Sequence, residues 1–256
     1  MMLVAPHLLE SPLDIPSLVA WWDFSDDTEM AFGASNKISS LNDKADGHAN
    51  KQLIYQGYRP YHAQPLNKIN NRPSAGFASG IGQTMKTYGD HTDFEFGSGQ
   101  FTFVVVMLNT DVDRSTIIHR GDSTAFYNLR IHDTDDDNGK ATAVTKSTTA
   151  VVGKVASDDE DFGDGDPYLL MMLRDGSSYL RLYNNDAEVS QSPDTTASGD
   201  LDPTGTHYLW VGSDKNTDQY FVGQIGDICV FNAALSSDER TFLHRYLRKK
   251  WGFSVS

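Results

Sequence analysis

The chain has 256 residues, 39% hydrophobic and 22% charged, enough to bury roughly 70–75% of its unfolded surface in one β-sandwich or two smaller domains. Its 21 Lys+Arg against 35 Asp+Glu leave a net charge of −14, which excludes a general phosphate-backbone binder and argues against anionic membrane surfaces. Neither nucleic acid nor membrane is therefore an expected partner. Of the acidic residues, 29 are Asp and 6 are Glu. Asp favours turns and caps and Glu favours helix interiors, so this bias points to a β-rich chain with many polar turns. The lone cysteine, Cys229, excludes an intramolecular disulfide framework and leaves the redox compartment open. The first Lys is Lys37 and the first Arg is Arg59, so the expectation is a soluble chain with no basic leader or other export address. The longest apolar runs, 103–108 and 169–173, are too short for a spanning helix.

In chain order, residues 1–17 hold Pro6, Pro12 and Pro16 with little periodicity and predict an extended arm, lying on the domain or on a neighbour, ahead of a single domain covering 18–256. Leu18-Val-Ala-Trp-Trp-Asp-Phe24 predicts a strand, followed by polar turns to Gly47. Residues 59–99, with Pro60, Pro65 and Pro73, predict irregular short strands and turns. Phe101-Thr-Phe-Val-Val-Val-Met-Leu108 is apolar on both faces and predicts a central buried strand. Further strands are expected at 115–119, 125–132, 141–146, 168–173, 179–183 and 208–212, which together suggest a sandwich or barrel. At the end, Ser236 and Glu239 have capping-box spacing. Phe242, Leu243, Tyr246 and Leu247 recur at helical spacing, and Arg248, Lys249 and Lys250 precede Gly252. This is an amphipathic helix on a sheet, with Trp251 expected to fold under its last turn.

The order of these pieces resembles a known family. Leu18-Val-Ala-Trp-Trp-Asp-Phe-Ser25, Ile38-Ser-Ser-Leu-Asn-Asp-Lys-Ala-Asp-Gly47, Arg59-Pro-Tyr61 and the run from Ile69 to Gly80 are similar to the opening of laminin-G-like, concanavalin-A-like domains found in tailed-phage structural proteins. Arg174-Asp-Gly176 followed by Leu180-Arg-Leu-Tyr183 resembles that family's central hairpin, residues 221–231 its last strand, and residues 234–252 its closing helix. The resemblance implies an all-β, concanavalin-A-like jelly-roll sandwich of two antiparallel sheets with a short C-terminal α-helix. One departure is Asn184-Asn-Asp186 in place of an Asn-Gly turn; Asn and Asp tolerate the left-handed region, so the hairpin is expected to survive.

Catalytic constellations are scarce. The glucanase branch of this fold uses alternating carboxylates on one strand, whereas Gly226-Asp-Ile-Cys-Val-Phe231 supplies only Asp227. His119, Arg120, Tyr127 and Arg130 contain the residue types of a lyase site, weighed against ordinary strand and turn roles. Asp133, Asp135 and Asp137 alternate like Ca²⁺ ligands, but Gly139 and Val144 stand where an EF-hand loop needs other spacing and a Glu. The denser cluster Asp158, Asp159, Asp161, Asp164 and Asp166 supplies the Ca²⁺ candidates, against the simpler reading of a solvated acidic loop. Arg120-Gly121-Asp122 spells an adhesion tripeptide at a position where the family has a strand turn. Trp21, Trp22, Trp210 and Trp251 are candidates for sugar stacking, with core packing favoured for all four. Cys229 is expected to be an inert core thiol.

The resemblance implies a non-enzymatic structural protein of a phage virion, a capsid decoration or appendage protein assembled in the host cytoplasm. Its partners would be the major capsid protein or other virion proteins, in a homo-oligomer of two or three copies. The alternative is a glycan-binding adhesion module for host polysaccharide, acting through rim loops or a sheet face. A polysaccharide-degrading enzyme ranks third.

Overall fold

The computed structural model describes residues 9–45, 51–62, 68–78, 82–111, 115–131, 139–157, 162–176, 179–189, 197–214 and 219–253. Its first strands are β1 (Leu18–Asp23), β2 (Met30–Phe32), β3 (Ile38–Leu41), β4 (Leu53–Gly57), β5 (Tyr61–His62), β6 (Lys68–Ile69) and β7 (Arg72–Pro73). Next come β8 (Ala75–Phe77), β9 (Gln83–Thr87), β10 (Phe101–Asn109), β11 (Ser115–Gly121), β12 (Phe126–Ile131) and β13 (Ala141–Lys146). The chain continues through β14 (Val152–Ala156), β15 (Pro167–Arg174), β16 (Leu180–Asn184), β17 (Ala187–Glu188), β18 (Leu209–Val211) and β19 (Gly223–Phe231) to helix α1 (Ser237–Trp251).

Two antiparallel sheets stack face to face. One has eight strands in the order β17-β16-β15-β10-β19-β8-β5, with β1 also paired to β19; the other has nine, β14-β13-β12-β11-β18-β9-β4-β3-β2. β10 lies between β15 and β19 and is buried along its length except at Leu108, as its continuous apolar run dictates. On its other edge β19 is shared end to end, with Asp227–Phe231 paired to β1 and Gly223–Ile225 paired to β8. Between the sheets, Phe101, Phe103, Val105, Leu170, Met172, Ile228 and Val230 from one side meet Tyr127, Leu129, Ala143, Leu209, Val211 and Met85 from the other.

The two sheets differ on their outer faces. Alternate residues of the eight-stranded sheet, among them Val104, Leu169, Met171, Cys229 and Phe231, form a second apolar layer with Leu243, Leu247 and Trp251 of α1. Both faces of that sheet are therefore dry. The helix begins as its sequence predicts: the Ser236 side chain accepts from Glu239 N and Glu239 Oε2 accepts from Ser236 N, so two otherwise unpaired amides are satisfied. Gly252 ends it in the left-handed conformation. Phe242 and Tyr246 are half-buried against the same layer. Gly226 makes room for the helix end, because a Cβ there would lie 2.5 Å from the Trp251 ring.

The expected strands all appear, within a few residues at their described ends. The central hairpin pairs Leu170 with Asn184 and Arg174 with Leu180. Asn185 and Asp186 take positive φ (49° and 69°), so the departure from Asn-Gly is accommodated. Two differences stand out. β2 and β3 arise in the stretch expected to be polar turns, and β4, β9 and β14 where irregular or no strand was expected, because each is short and partly polar and gains stability from neighbouring strands rather than from its own pattern. Residues 12–14 of the N-terminal segment are not extended; the Ser11 capping box winds them into one 3₁₀ turn. Ile15 then packs into the layer beneath α1, and Ser17 accepts a backbone hydrogen bond from Asn232, so this stretch lies on the domain itself.

Candidate functional site

The nine-stranded sheet has an outer face that no helix of the described residues covers, and its register sets side chains there in rows. Because Leu209 and Val211 point into the core, Tyr208 and Trp210 point outward. Trp210 sits opposite His119 on one side and Lys86 on the other; His119 continues to Asn128, Val144 and Lys154. Lys86 Nζ lies 3.9 Å from the Tyr208 ring centroid and 5.5 Å from that of Trp210. Phe126 adds a ring 5.9 Å from His119. Tyr208, Trp210 and Phe126 are half-buried, while Tyr88, just beyond β9, is 67% exposed. On the same face, Asn128 Oδ1 and Thr142 Oγ1 are enclosed without a hydrogen-bond partner among the described residues. His119, Asn128 and Thr142 are themselves buried, so the groups that a sugar could reach here are the Tyr208, Trp210 and Phe126 rings, which can stack its C–H face, and the Lys86 ammonium, which can donate to its oxygens.

Trp210 is thus a correction to the expectation of four core tryptophans. Trp21, Trp22 and Trp251 are buried. Trp210 alternates out of the core on a strand of only three residues, too short for its period to be read from sequence.

The lyase-like quartet is not assembled. Tyr127 is buried among Phe96, Phe101 and Phe103 and donates to Phe94 O; burial pushes its phenol far up. His119 and Arg130 belong to the opposite side of the sheet, since their neighbours Ile118, Leu129 and Ile131 point inward. Arg120 is buried and reaches three carboxylates, those of Asp90, Glu95 and Asp202, at 3.3 Å each. It ties together the loops at one end of the sandwich, so the Arg-Gly-Asp tripeptide does not present its arginine for adhesion. Asp122 instead folds its own turn, accepting from Thr124 N and Oγ1.

Asp227 is fully buried beneath α1. Its carboxylate accepts from the indole N–H groups of Trp21 (2.7 Å) and Trp251 (2.5 Å) and from Lys250 Nζ (2.7 Å). Lys250 also meets Asp23 (2.7 Å), which extends to Lys44 and Asp26. Burial pushes Asp227 up to about 6 against the attraction of Lys250. Burial acts in the same direction on Asp23, but Lys250, Ser25 and Lys44 outweigh it and hold that carboxyl below its ordinary value. The network is buried at Asp227 and Asp23, reaches the surface at Lys44 and Asp26, and braces the helix against β1 and β19. Cys229 is fully buried, and burial raises its thiol well above the usual range.

Of the Ca²⁺ candidates, Asp158, Asp159 and Asp161 lie outside the described residues, as do Asp133, Asp135 and Asp137. Asp164 and Asp166 are exposed. Asp164 accepts from Tyr168 Oη (2.8 Å) and from Asp166 N, while Asp166 lines a cleft of about 460 Å³ with Asn70, Asn185 and Arg248. Among the described residues no group of three or more His, Cys, Asp or Glu side chains is arranged to hold a metal. No described helix is long and apolar enough to cross a membrane.

Two stacked antiparallel sheets, one sealed by a helix and the other set with aromatic and polar rows, define a jelly-roll β-sandwich of the concanavalin A-like kind. The chain belongs to the concanavalin A-like lectin/glucanases superfamily, whose laminin-G-like family model matches residues 82–239. No curated protein matches the chain in sequence. Among solved structures it is similar to domain 4 of AbnA, an extracellular arabinanase of Geobacillus stearothermophilus solved with arabinotriose (TM-score 0.64, 14% identity, covering 89% of this chain and 98% of that one). It is also similar to the binding domain of Paraclostridial Mosquitocidal Protein 1 (TM-score 0.65, 11% identity, 89% and 52% covered). A third is the binding domain of botulinum neurotoxin DC in complex with SialylT (TM-score 0.62, 11% identity, 91% and 52% covered). The chain spans about half the length of the two toxin binding domains.

Proposed function

We propose that the chain is a non-catalytic glycan-binding module that holds saccharide on the outer face of its nine-stranded sheet. The observation that carries this is the pair of half-buried rings, Tyr208 and Trp210, beside Lys86 on a sheet face that no helix of the described residues covers. The buried carboxylates Asp23 and Asp227 are bridged by Lys250 beneath α1, on the other sheet, and offer no acid/base pair to a saccharide held on this face, which favours binding over cleavage. The superfamily includes lectins, and a similar domain was solved with arabinotriose, in agreement with this choice. Attachment to a virion, expected from the sequence, draws no support from these relatives, which are toxin and arabinanase domains.

The test is a glycan array followed by calorimetric titration of the hits. Saturable binding is expected, lost in Trp210→Ala and weakened in Tyr208→Ala while both variants keep a cooperative melt. Absence of binding across the array, or hits indifferent to both substitutions, refutes the proposal.

A further inference from the structure

We infer that the saccharide taken on this face is acidic, with its carboxylate or sulfate received by Lys86; this rests on the glycan-binding reading above. The first observation is a segregation of charge. Roughly one residue in seven of the whole chain is Asp or Glu, yet none of the nine strands of this sheet contains either. The same strands hold Lys86, Arg130, Lys146 and Lys154, besides Arg120, which turns inward to its three carboxylates. Strand propensity does not explain the asymmetry, because Lys is depleted from strands along with Asp and Glu.

The second observation is the state of Lys86 itself. Several buried or half-buried cations elsewhere in this acidic chain have found carboxylates: Lys44 has Asp23 and Asp26, Lys250 has Asp23 and Asp227, and Arg120 has three. Lys86, half-buried in the middle of the open face, has none among the described residues, nor a hydrogen-bond acceptor. It rests on the rings of Tyr208 and Trp210. Ring faces attract an ammonium but offer no directional acceptor, so its N–H donors stay available in a fixed place. A pyranose stacked on Trp210 would bring an acidic substituent within reach of that ammonium, and a charge-assisted hydrogen bond there is stronger than one to a neutral hydroxyl.

The experiment uses matched pairs that differ only in charge: oligogalacturonate against its methyl ester, and hyaluronan oligosaccharide against its carboxyl-reduced form. Titration of the full chain is expected to show the acidic member bound at least about tenfold more tightly, an advantage that shrinks as salt rises. Lys86→Gln is expected to erase the difference within each pair while the variant keeps a cooperative melt. Equal affinity within the pairs, or a preference that survives Lys86→Gln, overturns the inference. Tight binding of neutral glycans alone, lost in Trp210→Ala, leaves the glycan-binding reading standing and removes only the acidic preference. No binding of any glycan removes both.

Discussion

Replacing Lys250 with Met tests the buried network under α1, because it removes the only cation among the described residues that touches Asp227 while keeping a stem of similar volume between the Trp21 and Trp251 rings. With Lys250 present, burial places Asp227 at about 6, above its unfolded value, so folding takes up a proton. That group's contribution to stability is full below the unfolded value and falls as pH rises through 6. Without a cation, fully buried carboxylates reach about 8–9. In the variant the fall therefore continues above pH 6: over the 1.5 pH units from about 6 to 7.5, at about 1.36 kcal/mol per unit, the added loss is about 2 kcal/mol. Asp23 also loses Lys250, the largest of the attractions that hold its carboxyl low, and keeps Lys44 at 3.2 Å; burial then acts on it in the same direction as on Asp227, so its share adds to the loss as pH rises. Urea denaturation at pH 5.0 and 7.5 is expected to show a penalty of about 1–2 kcal/mol at the lower pH and about 3–4 at the higher. A penalty that is the same at both pH values would mean that Asp227 is not the titrating group and would refute the reasoning.

Two further predictions concern the same layer. Leu247→Ala empties a fully buried site between α1 and the sheet and is expected to cost about 2–5 kcal/mol, whereas Ser236→Ala deletes only the cap and should cost about 1. Thermal and urea melts of both variants check the ranking, and a neutral Leu247→Ala would mean the helix is not a lid on the core. Gly226→Ala drives a methyl into the Trp251 ring and is expected to cost about 1–3 kcal/mol, with altered Trp fluorescence; an unperturbed melt would show that the ring moves aside freely.

What the sequence disclosed follows from how each element is stabilised. β10 and α1 carry their own signals, a run apolar on both faces and a 3.6-residue stripe with caps at both ends, and both were legible. β14, with Val152, Gly153 and Lys154 at its start, has no such signal; it exists because β13 supplies its hydrogen bonds, which no local pattern records. The Asp227 network was illegible for a related reason. It joins Trp21, Asp23, Asp227 and Lys250 across more than 200 residues of sequence, so only its lone carboxylate was visible beforehand.

The candidate site was legible in its residue types but not in its location. A tryptophan in a short apolar strand is most often core, and Trp21 and Trp22 obey that rule because β1 lies in a sheet buried on both faces. Trp210 occupies a similar local pattern but belongs to the sheet that α1 does not cover, so its alternate position faces outward instead of into a second layer. Whether a given ring packs or stands available is thus decided by which sheet the helix covers. That choice is made by residues 237–251, far along the chain from most of the strands they expose or bury.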